Sequence, residues 1–368
     1  MNRPTQPQNT AATIYRYRIQ RPRNGRRLVQ RECNGVGSTS IAITGANSAV
    51  GRALLKQLVG QDDIRVVAGA RHQKALAGLP RAPHITPAVI SYDRPDSLKA
   101  ALDNIGCVVH LAGVLIESKT SDYDTANVGT TRALVKAATA AGVDHVVFIS
   151  SLGADPASTN GYFRSKGEAE RVVADAAIDA TIIRTPLLLG SHTAGGRALM
   201  GLASRQSARV LGGGAHTLRP LDIDDLCRAI VGCCRRPATG VTVHDLVGPT
   251  AVTYRELLAR TAGLLDHDLS IGSMPLWLAR LGAALASTVR TGGMTPTVID
   301  VITSDEAVDN NADTDLGITL TPLSDTLARL VGAERSKEAG GRTQEPEGSR
   351  GASPAVSSAA GQTPDHRS

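Results

Sequence analysis

The chain has 368 residues and a formal net charge of +6, but eight arginines against one glutamate in residues 1–40 account for +7. Residues 41–332 carry a net charge of −1, which excludes a basic nucleic-acid-binding face on that body. The five cysteines include no Cys-x-x-Cys pair, which argues against a disulfide framework and a zinc site. With 42% hydrophobic but only 2% aromatic residues, the core must be built from aliphatic side chains.

The two ends of the chain differ in composition from the rest. Residues 1–38 are predicted to be a disordered basic extension, although a mitochondrial transit peptide is also Arg-rich and acid-poor. Residues 333–368 are rich in Gly, Ser, Pro and Ala without periodicity, which predicts a disordered tail. No apolar run reaches the roughly 20 residues of a spanning helix. We expect a soluble cytoplasmic protein, with the mitochondrial matrix or the membrane periphery as the alternative.

Residues 41–58 predict a strand, a turn bounded by two glycines, and a helix. The helix N-terminus at such a turn points unpaired N–H groups and its positive dipole end at a pyrophosphate. Ser48 stands where many such turns have a glycine; its Cβ crowds the phosphate, while its hydroxyl can donate to it. A turn that holds no nucleotide is the alternative. The predicted cofactor contacts here are Gly45, Asn47, Ser48, Val50 and Gly51.

The end of the second predicted strand, residues 64–68, indicates which cofactor is preferred. An acid at this position binds the ribose of NAD, whereas an arginine accommodates the 2'-phosphate of NADP. The chain has Arg71 there and no carboxylate at the strand end. NADP(H) is therefore the predicted cofactor, with NAD(H) possible in its place. Arg52 could share the phosphate or be a solvated helix residue, and the sequence favours neither.

Short apolar strands alternate with helices along residues 39–186, with further strands predicted near 88–90, 107–111, 145–149 and 181–183. This alternation predicts an α/β fold with a doubly wound parallel sheet, the Rossmann arrangement. Beyond Pro186 the pattern loosens, and residues 187–332 are predicted to form a smaller C-terminal substrate lobe over the carboxyl edge of the sheet. Within that lobe, Thr253 and Glu256 have the spacing of a capping box.

Candidate catalytic residues follow the fifth predicted strand. Tyr162 and Lys166 are four residues apart and share one helix face, so the ammonium is placed to lower the pKa of the phenol. Ser151 is a candidate donor to the substrate oxygen, although the register also allows Ser150. Asn127, at the start of its helix, is predicted to order a water that relays protons. The alternative is a surface tyrosine and lysine on a solvated helix.

No residues have the spacing of a metal site.

An apolar stripe in the predicted lobe has two interpretations. Trp277, Leu278, Leu281 and Leu285 recur at helical spacing beside Arg280. Core packing is the default expectation for such a stripe. The alternative is a face that contacts a membrane surface or a partner protein.

These motifs together resemble the short-chain dehydrogenase/reductase superfamily in its extended and atypical branches, over roughly residues 40–330. The motifs that carry the resemblance are the turn from Thr44 to Gly51, Leu111-Ala112-Gly113, Ser151, the Tyr162/Lys166 pair and Arg184-Thr185-Pro186. The resemblance implies cofactor contacts at Asp93, Leu111, Ala112, Gly113 and Lys166, and a proton-transfer role for Tyr162. Segments such as residues 151–156 and 275–278 look most like the group of the nucleotide-binding accessory subunit of respiratory complex I.

Two functions remain open from the sequence. The first is an NADP(H)-dependent oxidoreductase or epimerase-like enzyme that acts on a small carbonyl, hydroxyl or quinone-like substrate. The second is a non-catalytic nucleotide-holding subunit or redox sensor associated with a respiratory or membrane partner. The Tyr162/Lys166 pair favours the first, and Ser48 in place of a glycine favours the second.

Overall fold

The computed structural model describes residues 39–289 and 293–342, so the predicted extension at residues 1–38 lies outside it. In the first half of the chain, strands and helices alternate. They are β1 (Thr39–Thr44), α1 (Ala49–Leu58), β2 (Ile64–Ala70), α2 (Gln73–Leu76), β3 (Ile85–Val89), α3 (Pro95–Ala101), β4 (Cys107–His110), a π-helical turn (Asp124–Gly129) that continues into α4 (Thr130–Ala141), β5 (His145–Ser151), α5 (Gly161–Ala174) and β6 (Asp179–Thr185).

The second half has shorter strands and more helices. It contains β7 (Leu188–Leu189), α6 (Ala194–Ala203), β8 (Ser207–Leu211), a 3-10 turn (Gly212–Gly214), β9 (Thr217–Leu218), β10 (Leu221–Asp222), α7 (Ile223–Arg235), β11 (Val241–Asp245), β12 (Val252–Thr253), α8 (Tyr254–Leu264), β13 (Ser270–Met274), α9 (Leu276–Val289), α10 (Pro296–Ile302) and α11 (Leu323–Arg342). None of the helices described is both long and apolar enough to cross a membrane.

Seven parallel strands form the central sheet in the order β11-β6-β5-β4-β1-β2-β3. The chain moves outward from β1 through β2 to β3, then returns to β4 on the other side of β1. This reversal opens a crevice at the carboxyl ends of β1 and β4, which is where open α/β sheets bind ligands. The predicted fold class is confirmed.

Helices cover both faces of the sheet, because successive side chains of each strand point to opposite faces. In β1, Ile41 and Ile43 belong to the core that contains α1 and α7, whereas Ala42 belongs to the core that contains α4 and α5. The same alternation explains why the central positions of β4, β5 and β6 are apolar on both faces.

The predicted division at residue 186 does not mark the end of the sheet. β11 lies in the region predicted to be the lobe, yet it pairs with β6 along five residues and forms the sheet edge. α7, from the same region, packs against α1 and the strands. A separate lobe core does exist, formed mainly by apolar residues of α6, α8 and α11. Its sequence cannot be divided at one boundary, because two of its segments return to the sheet.

The helix α11 corrects the predicted start of the C-terminal tail. It continues to Arg342, past residue 333. Leu330 and Val331 are buried in the lobe core, and the Arg335 guanidinium pairs with Asp266 at 2.5 Å. These contacts anchor the helix although its last turns lack apolar periodicity. Residues 343–368 lie outside the part of the chain that is described.

A half-buried carboxyl group joins two loops of the lobe. The Glu306 side chain accepts hydrogen bonds from the backbone N–H of Leu187, at 2.6 Å, and of Arg219, at 2.8 Å. Burial raises the pKa of this carboxyl to about 7, against the opposing effect of the two N–H donors. Glu306 therefore changes charge near neutral pH while it holds both loops.

We expect this carboxyl to make stability depend on pH. The pKa rises from an ordinary value of 4.5 to about 7 on folding, so the native state holds the proton more tightly. The contribution of the Glu306 carboxyl to the stability of the folded protein is complete below about pH 4.5 and is lost as the pH rises through 7. This contribution is on the order of 3 kcal/mol. Denaturant unfolding should show that the free energy of unfolding falls less with rising pH in Glu306→Gln than in the unmodified protein. Equal slopes of the unfolding free energy against pH in the two proteins would contradict the raised pKa of Glu306.

Candidate active site

The predicted site residues meet at the carboxyl edge of the central sheet. The β1–α1 turn, Arg71, Asp93 and the segment 111–113 follow β1, β2, β3 and β4 in turn, and Ser151 is the last residue of β5. Parallel strands bring these segments to one edge although they are far apart in sequence. Tyr162 and Lys166 reach the same edge from α5, which packs on β5.

The two glycines of the β1–α1 turn allow close backbone packing. Gly45 has φ +73°, and a Cβ there would lie 3.1 Å from the backbone N of Ala112. A Cβ at Gly51 would lie only 2.6 Å from the carbonyl oxygens of Gly45 and Ala46. Any side chain at residue 51 would therefore push α1 away from the turn. This tight turn, with the start of α1 behind it, has the form of a phosphate cradle.

Ser48 has a defined structural role in that cradle. It is the N-cap of α1, and its Oγ accepts a hydrogen bond from the backbone N–H of Gly51 at 3.0 Å. The oxygen is used as an acceptor, so the hydroxyl hydrogen remains available to a phosphate oxygen. The first turn of α1 contains no acidic residue that would repel an anion. Ser48 is therefore compatible with an anionic ligand at this helix N-terminus.

Two arginines near the cradle differ in their contacts. The Arg52 guanidinium donates to the carbonyl oxygens of Asn47, at 3.2 Å, and of Gly78. The Arg71 side chain is exposed beyond the end of β2 and makes no hydrogen bond or ion pair with any residue that the structure describes. Arg71 is thus the guanidinium that remains available to a ligand. Asp93 is also exposed, four residues beyond the end of β3.

The Asn127 side chain holds the loop that follows β4. Its amide group donates to the Val114 carbonyl, at 3.2 Å, and to the Ser165 Oγ, at 2.9 Å, and accepts from the Val114 N–H at 2.8 Å. Both amide hydrogens are used within the protein, so only the second lone pair of Oδ1 is left for a water, and the role of Asn127 in ordering a proton-relaying water stays a prediction. A Cβ at Gly113 would lie 2.9 Å from the Asn127 Oδ1. Asn127 also fixes the loop against α5.

Tyr162 lies in the first turn of α5, in a cluster of aromatic rings. The N-cap Asn160 accepts hydrogen bonds from the backbone N–H groups of Tyr162 and Phe163, at 3.1 and 3.3 Å. The ring centroids of Tyr123 and Phe163 lie 5.9 and 5.8 Å from that of Tyr162. Burial raises the pKa of the Tyr162 phenol, and a hydrogen bond with Ser151 opposes this effect. The phenol is therefore protonated at neutral pH.

The Lys166 ammonium is directed toward β5. It donates to the carbonyl oxygen of Ile149 at 2.8 Å and lies 4.4 Å from the centroid of the Phe148 ring. Burial lowers the pKa of Lys166 to about 8, with Glu170 acting in the opposite direction. The sequence predicted that this ammonium would lower the pKa of the phenol. In the structure the effect of burial on Tyr162 is larger, and the ammonium contacts β5 instead.

The two candidate serines differ in their surroundings. Ser151 is half-buried, donates to the Leu152 carbonyl at 3.1 Å and interacts with Tyr162. The Ser150 hydroxyl is buried and has no hydrogen-bond partner among the described residues. Ser151 is therefore the serine beside the phenol.

A buried hydrogen-bond chain lies beneath the site and satisfies both ring nitrogens of His110. The Thr131 hydroxyl donates to the Asn127 carbonyl at 2.6 Å, so it accepts from the His110 Nε2, 3.1 Å away. The other ring nitrogen, Nδ1, then accepts from the Thr44 hydroxyl at 2.7 Å. Burial lowers the pKa of His110 to about 3, so the ring is neutral. This chain ties the ends of β1 and β4 to α4; the only sequence signal was a histidine in an apolar strand.

No group of three or more His, Cys, Asp or Glu side chains in residues 39–289 and 293–342 is arranged to hold a metal ion. The candidate site consists of a glycine-bounded anion cradle, an exposed arginine and a group of half-buried Ser151, half-buried Tyr162 and buried Lys166 along one sheet edge.

Comparison with known proteins gives one family match and several relatives. Residues 45–210 match the family described as NAD(P)H-binding. Over 264 residues, the chain is 25% identical to the mitochondrial NADH dehydrogenase [ubiquinone] 1 alpha subcomplex subunit 9 of Arabidopsis thaliana, covering 68% of this chain and 64% of that protein. Over 237 residues it is 26% identical to the ceramide reductase of Caulobacter vibrioides, covering 64% of this chain and 73% of that protein.

Solved structures support the fold alone, because their sequence identities are low. The UDP-glucuronic acid 4-epimerase of Bacillus cereus, in complex with UDP-glucuronic acid and NAD, has a TM-score of 0.63 at 18% identity, over 81% of this chain and all of that one. The UDP-glucose 4-epimerase of Bifidobacterium longum, in complex with NAD+ and UDP, has a TM-score of 0.62 at 17% identity, over 82% of this chain and all of that one.

Together these findings show an NAD(P)H-binding match over residues 45–210 and a Rossmann fold that is shared with the epimerase structures. The resemblance predicted from the sequence is confirmed, including the relation to the complex I accessory subunit.

Proposed function

We propose that this protein is an NADP(H)-dependent oxidoreductase that reduces a carbonyl or quinone-like substrate. The observation that carries the proposal is that Ser151, Tyr162 and Lys166 lie at the same carboxyl edge of the sheet as the glycine-bounded cradle. A cofactor whose pyrophosphate lies at the start of α1 would extend along the same sheet edge toward these side chains.

The residues present fit NADP(H). The cradle at Gly45 and Gly51 has space for backbone but not for side chains, and the Ser48 hydroxyl faces it as a donor. When bound, the reduced nicotinamide supplies a hydride. Asn47, Val50, Asp93 and the segment Leu111-Ala112-Gly113 are the further proposed contacts, because they border the same crevice.

Proton transfer is assigned to Tyr162. Its phenol is kept protonated by burial, which suits a general acid that donates to a carbonyl oxygen during reduction. Ser151, which interacts with the phenol, orients the substrate oxygen by a hydrogen bond. Lys166 is charged below about pH 8, and we assign to it the binding of ribose hydroxyls and the supply of positive charge as the phenol loses its proton.

The preference for NADPH over NADH depends on Arg71. This guanidinium makes no hydrogen bond or ion pair within the described residues and stands where an NAD-specific protein would carry an acid. Losing a charge-assisted contact with the 2'-phosphate should cost about 1.5–3 kcal/mol. Titration of both reduced cofactors by fluorescence should show tighter NADPH binding and a loss of that preference in Arg71→Ala.

Arg81 provides a matched control for this titration, because it is exposed and precedes β3, at the opposite end of the strand from the site. Arg81→Ala should keep the preference. Equal affinity for the two cofactors in the unmodified protein, or a preference that survives in Arg71→Ala, would contradict the NADP(H) assignment.

A second candidate function is a nucleotide-holding subunit or redox sensor with a respiratory or membrane partner. One observation favours it: the Lys166 ammonium contacts the Ile149 carbonyl and the Phe148 ring rather than the phenol. Relatives named as complex I subunits agree with this alternative. The two functions differ in one property. A nucleotide-holding subunit binds NADPH but does not oxidise it, whichever carbonyl compound is added.

We place the reaction in the cytoplasm. Cys107, Cys227, Cys233 and Cys234 are all buried free thiols, and the Sγ atoms of Cys107 and Cys234 lie 3.3 Å apart without a bond. Adjacent thiols of this kind persist in a reducing compartment.

A further inference from the structure

Three aromatic rings meet at the start of α5. Only 2% of the residues of the chain are aromatic, yet the Tyr162 ring contacts two other rings. The centroid of the Tyr123 ring lies 5.9 Å from that of Tyr162 at an interplanar angle of 62°, which is an edge-to-face arrangement. Phe163, the neighbour of Tyr162 in α5, contacts it with a centroid distance of 5.8 Å. The orientation of the Tyr162 ring therefore depends on the rings around it.

The Tyr123 ring is itself fixed in place. It is buried, with 9% of the residue exposed. Its hydroxyl donates to the Leu115 carbonyl oxygen at 2.8 Å, and its backbone N–H donates to the Glu117 Oε1 at 2.9 Å. The ring also lies against the backbone of Gly161, where an added Cβ would be 3.4 Å from the Tyr123 Cδ2. Tyr123 thus joins the loop that follows β4 to the first turn of α5.

A π-helical turn follows Tyr123 directly and also carries Asn127. Asn127 bonds both backbone groups of Val114, and Tyr123 bonds the carbonyl of the next residue, Leu115. Turns of this kind are rare in proteins as a whole and occur often at functional sites. Here the turn brings two side chains to one loop, beside the proposed acid.

Tyr123 is not placed to transfer a proton itself. Its hydroxyl hydrogen is used by the Leu115 carbonyl. Burial raises the pKa of its phenol to about 12, and the nearby Glu117 and Tyr162 act in the same direction. Any effect of Tyr123 on turnover therefore has to act through Tyr162.

We propose that Tyr123 is a positioning residue, whose ring holds the Tyr162 phenol in the orientation needed to reach a substrate oxygen. A general acid must lie within hydrogen-bond reach of the atom that it protonates, and a displacement of about 1 Å costs roughly 10²-fold in rate. Tyr162 is half-buried in the first turn of α5, so its ring relies on neighbouring rings to keep one orientation. The inference rests on the proposed function, in which Tyr162 is the acid.

Two variants of Tyr123 separate the role of its ring from that of its hydroxyl. Tyr123→Leu removes the ring and should lower kcat by roughly 10²-fold, while the KM for NADPH changes little because the cofactor cradle is untouched. Tyr123→Phe keeps the ring and should keep most of the turnover. Tyr254→Leu is the matched control, since the Tyr254 ring stacks on His216 in the lobe. It should keep the kcat of the unmodified protein.

A second measurement needs no turnover. In protein labelled with fluorotyrosine, the fluorine NMR signal of Tyr162 is recognised by its absence from Tyr162→Phe. This signal should move or broaden in Tyr123→Leu, because the ring that packs on Tyr162 is gone, and should keep its position in Tyr254→Leu. If Tyr123→Leu does not fold, Tyr123→Met takes its place, because the flexible methionine side chain fills irregular gaps in a core.

Three results would overturn the proposal. The first is an unchanged kcat in Tyr123→Leu, and the second is an unchanged Tyr162 signal in that variant. The third is a loss of turnover in Tyr123→Phe as large as in Tyr123→Leu, which would assign the effect to the hydroxyl. Failure of the proposed function is recognised separately, by full turnover in Tyr162→Phe or by no turnover in the unmodified protein. The fluorine signal then still decides whether Tyr123 orients the Tyr162 ring.

Discussion

Tyr162→Phe should lower the turnover of NADPH by a factor of roughly 10² to 10⁴, because the only group removed is the proposed general acid. Cofactor affinity should not change, since the ring keeps its contacts with Tyr123 and Phe163. Steady-state kinetics with any substrate of the unmodified enzyme, together with an NADPH titration, would measure both quantities.

Tyr254→Phe is a suitable control. Tyr254 begins α8 in the lobe, stacks on His216 and has no contact with the candidate site. Removing its hydroxyl should leave turnover unchanged, so a general loss of activity on tyrosine substitution can be recognised. Turnover of Tyr162→Phe at the unmodified rate would exclude this phenol as the acid.

Gly51→Ala should have the largest effect on the cradle. The added Cβ would lie 2.6 Å from two backbone carbonyl oxygens, which cannot move aside as a flexible side chain could. Overpacking of this kind costs about 1–3 kcal/mol, and here α1 must shift away from the turn that binds the phosphates. We expect a lower thermal midpoint, by about 2–4 °C for each kcal/mol, and a large loss of NADPH affinity.

Gly60→Ala separates the effect of this contact from the general effect of replacing a glycine. A Cβ at Gly60 meets no atom within 4 Å, and the residue follows the same helix. It should keep both stability and affinity. An unchanged thermal midpoint and NADPH affinity in Gly51→Ala would contradict the described packing of the turn.

Much of the fold could be predicted because strands buried on both faces are visible as short apolar runs. β1, β4 and β5 lie within a few residues of their predicted positions. β3 is displaced, at Ile85–Val89 rather than near 88–90, because its burial pattern is that of a partly exposed edge strand. The capping box at Thr253 and Glu256 is also confirmed, since it depends only on local spacing.

The site was less predictable, because its details depend on tertiary contacts. Spacing placed Tyr162 and Lys166 on one helix, but which acceptor the ammonium would choose depends on the position of the Ile149 carbonyl in β5. Asn127 likewise bonds Val114 and Ser165 because the loop that follows β4 folds back on α5. Helical periodicity identified the stripe of α9 but not the direction in which it faces. The default expectation of core packing is wrong, because the stripe is exposed at its four residues Trp277, Leu278, Leu281 and Leu285.

The most direct test of the central claim is whether the purified protein oxidises NADPH in the presence of a panel of quinones, aldehydes and ketones. The loss of the reduced nicotinamide absorbance would be followed with the unmodified protein and with Tyr162→Phe. The proposed function predicts oxidation with at least one carbonyl compound and its loss in the variant. Tight NADPH binding without oxidation by any member of the panel would contradict the assignment as an enzyme and support the nucleotide-holding subunit.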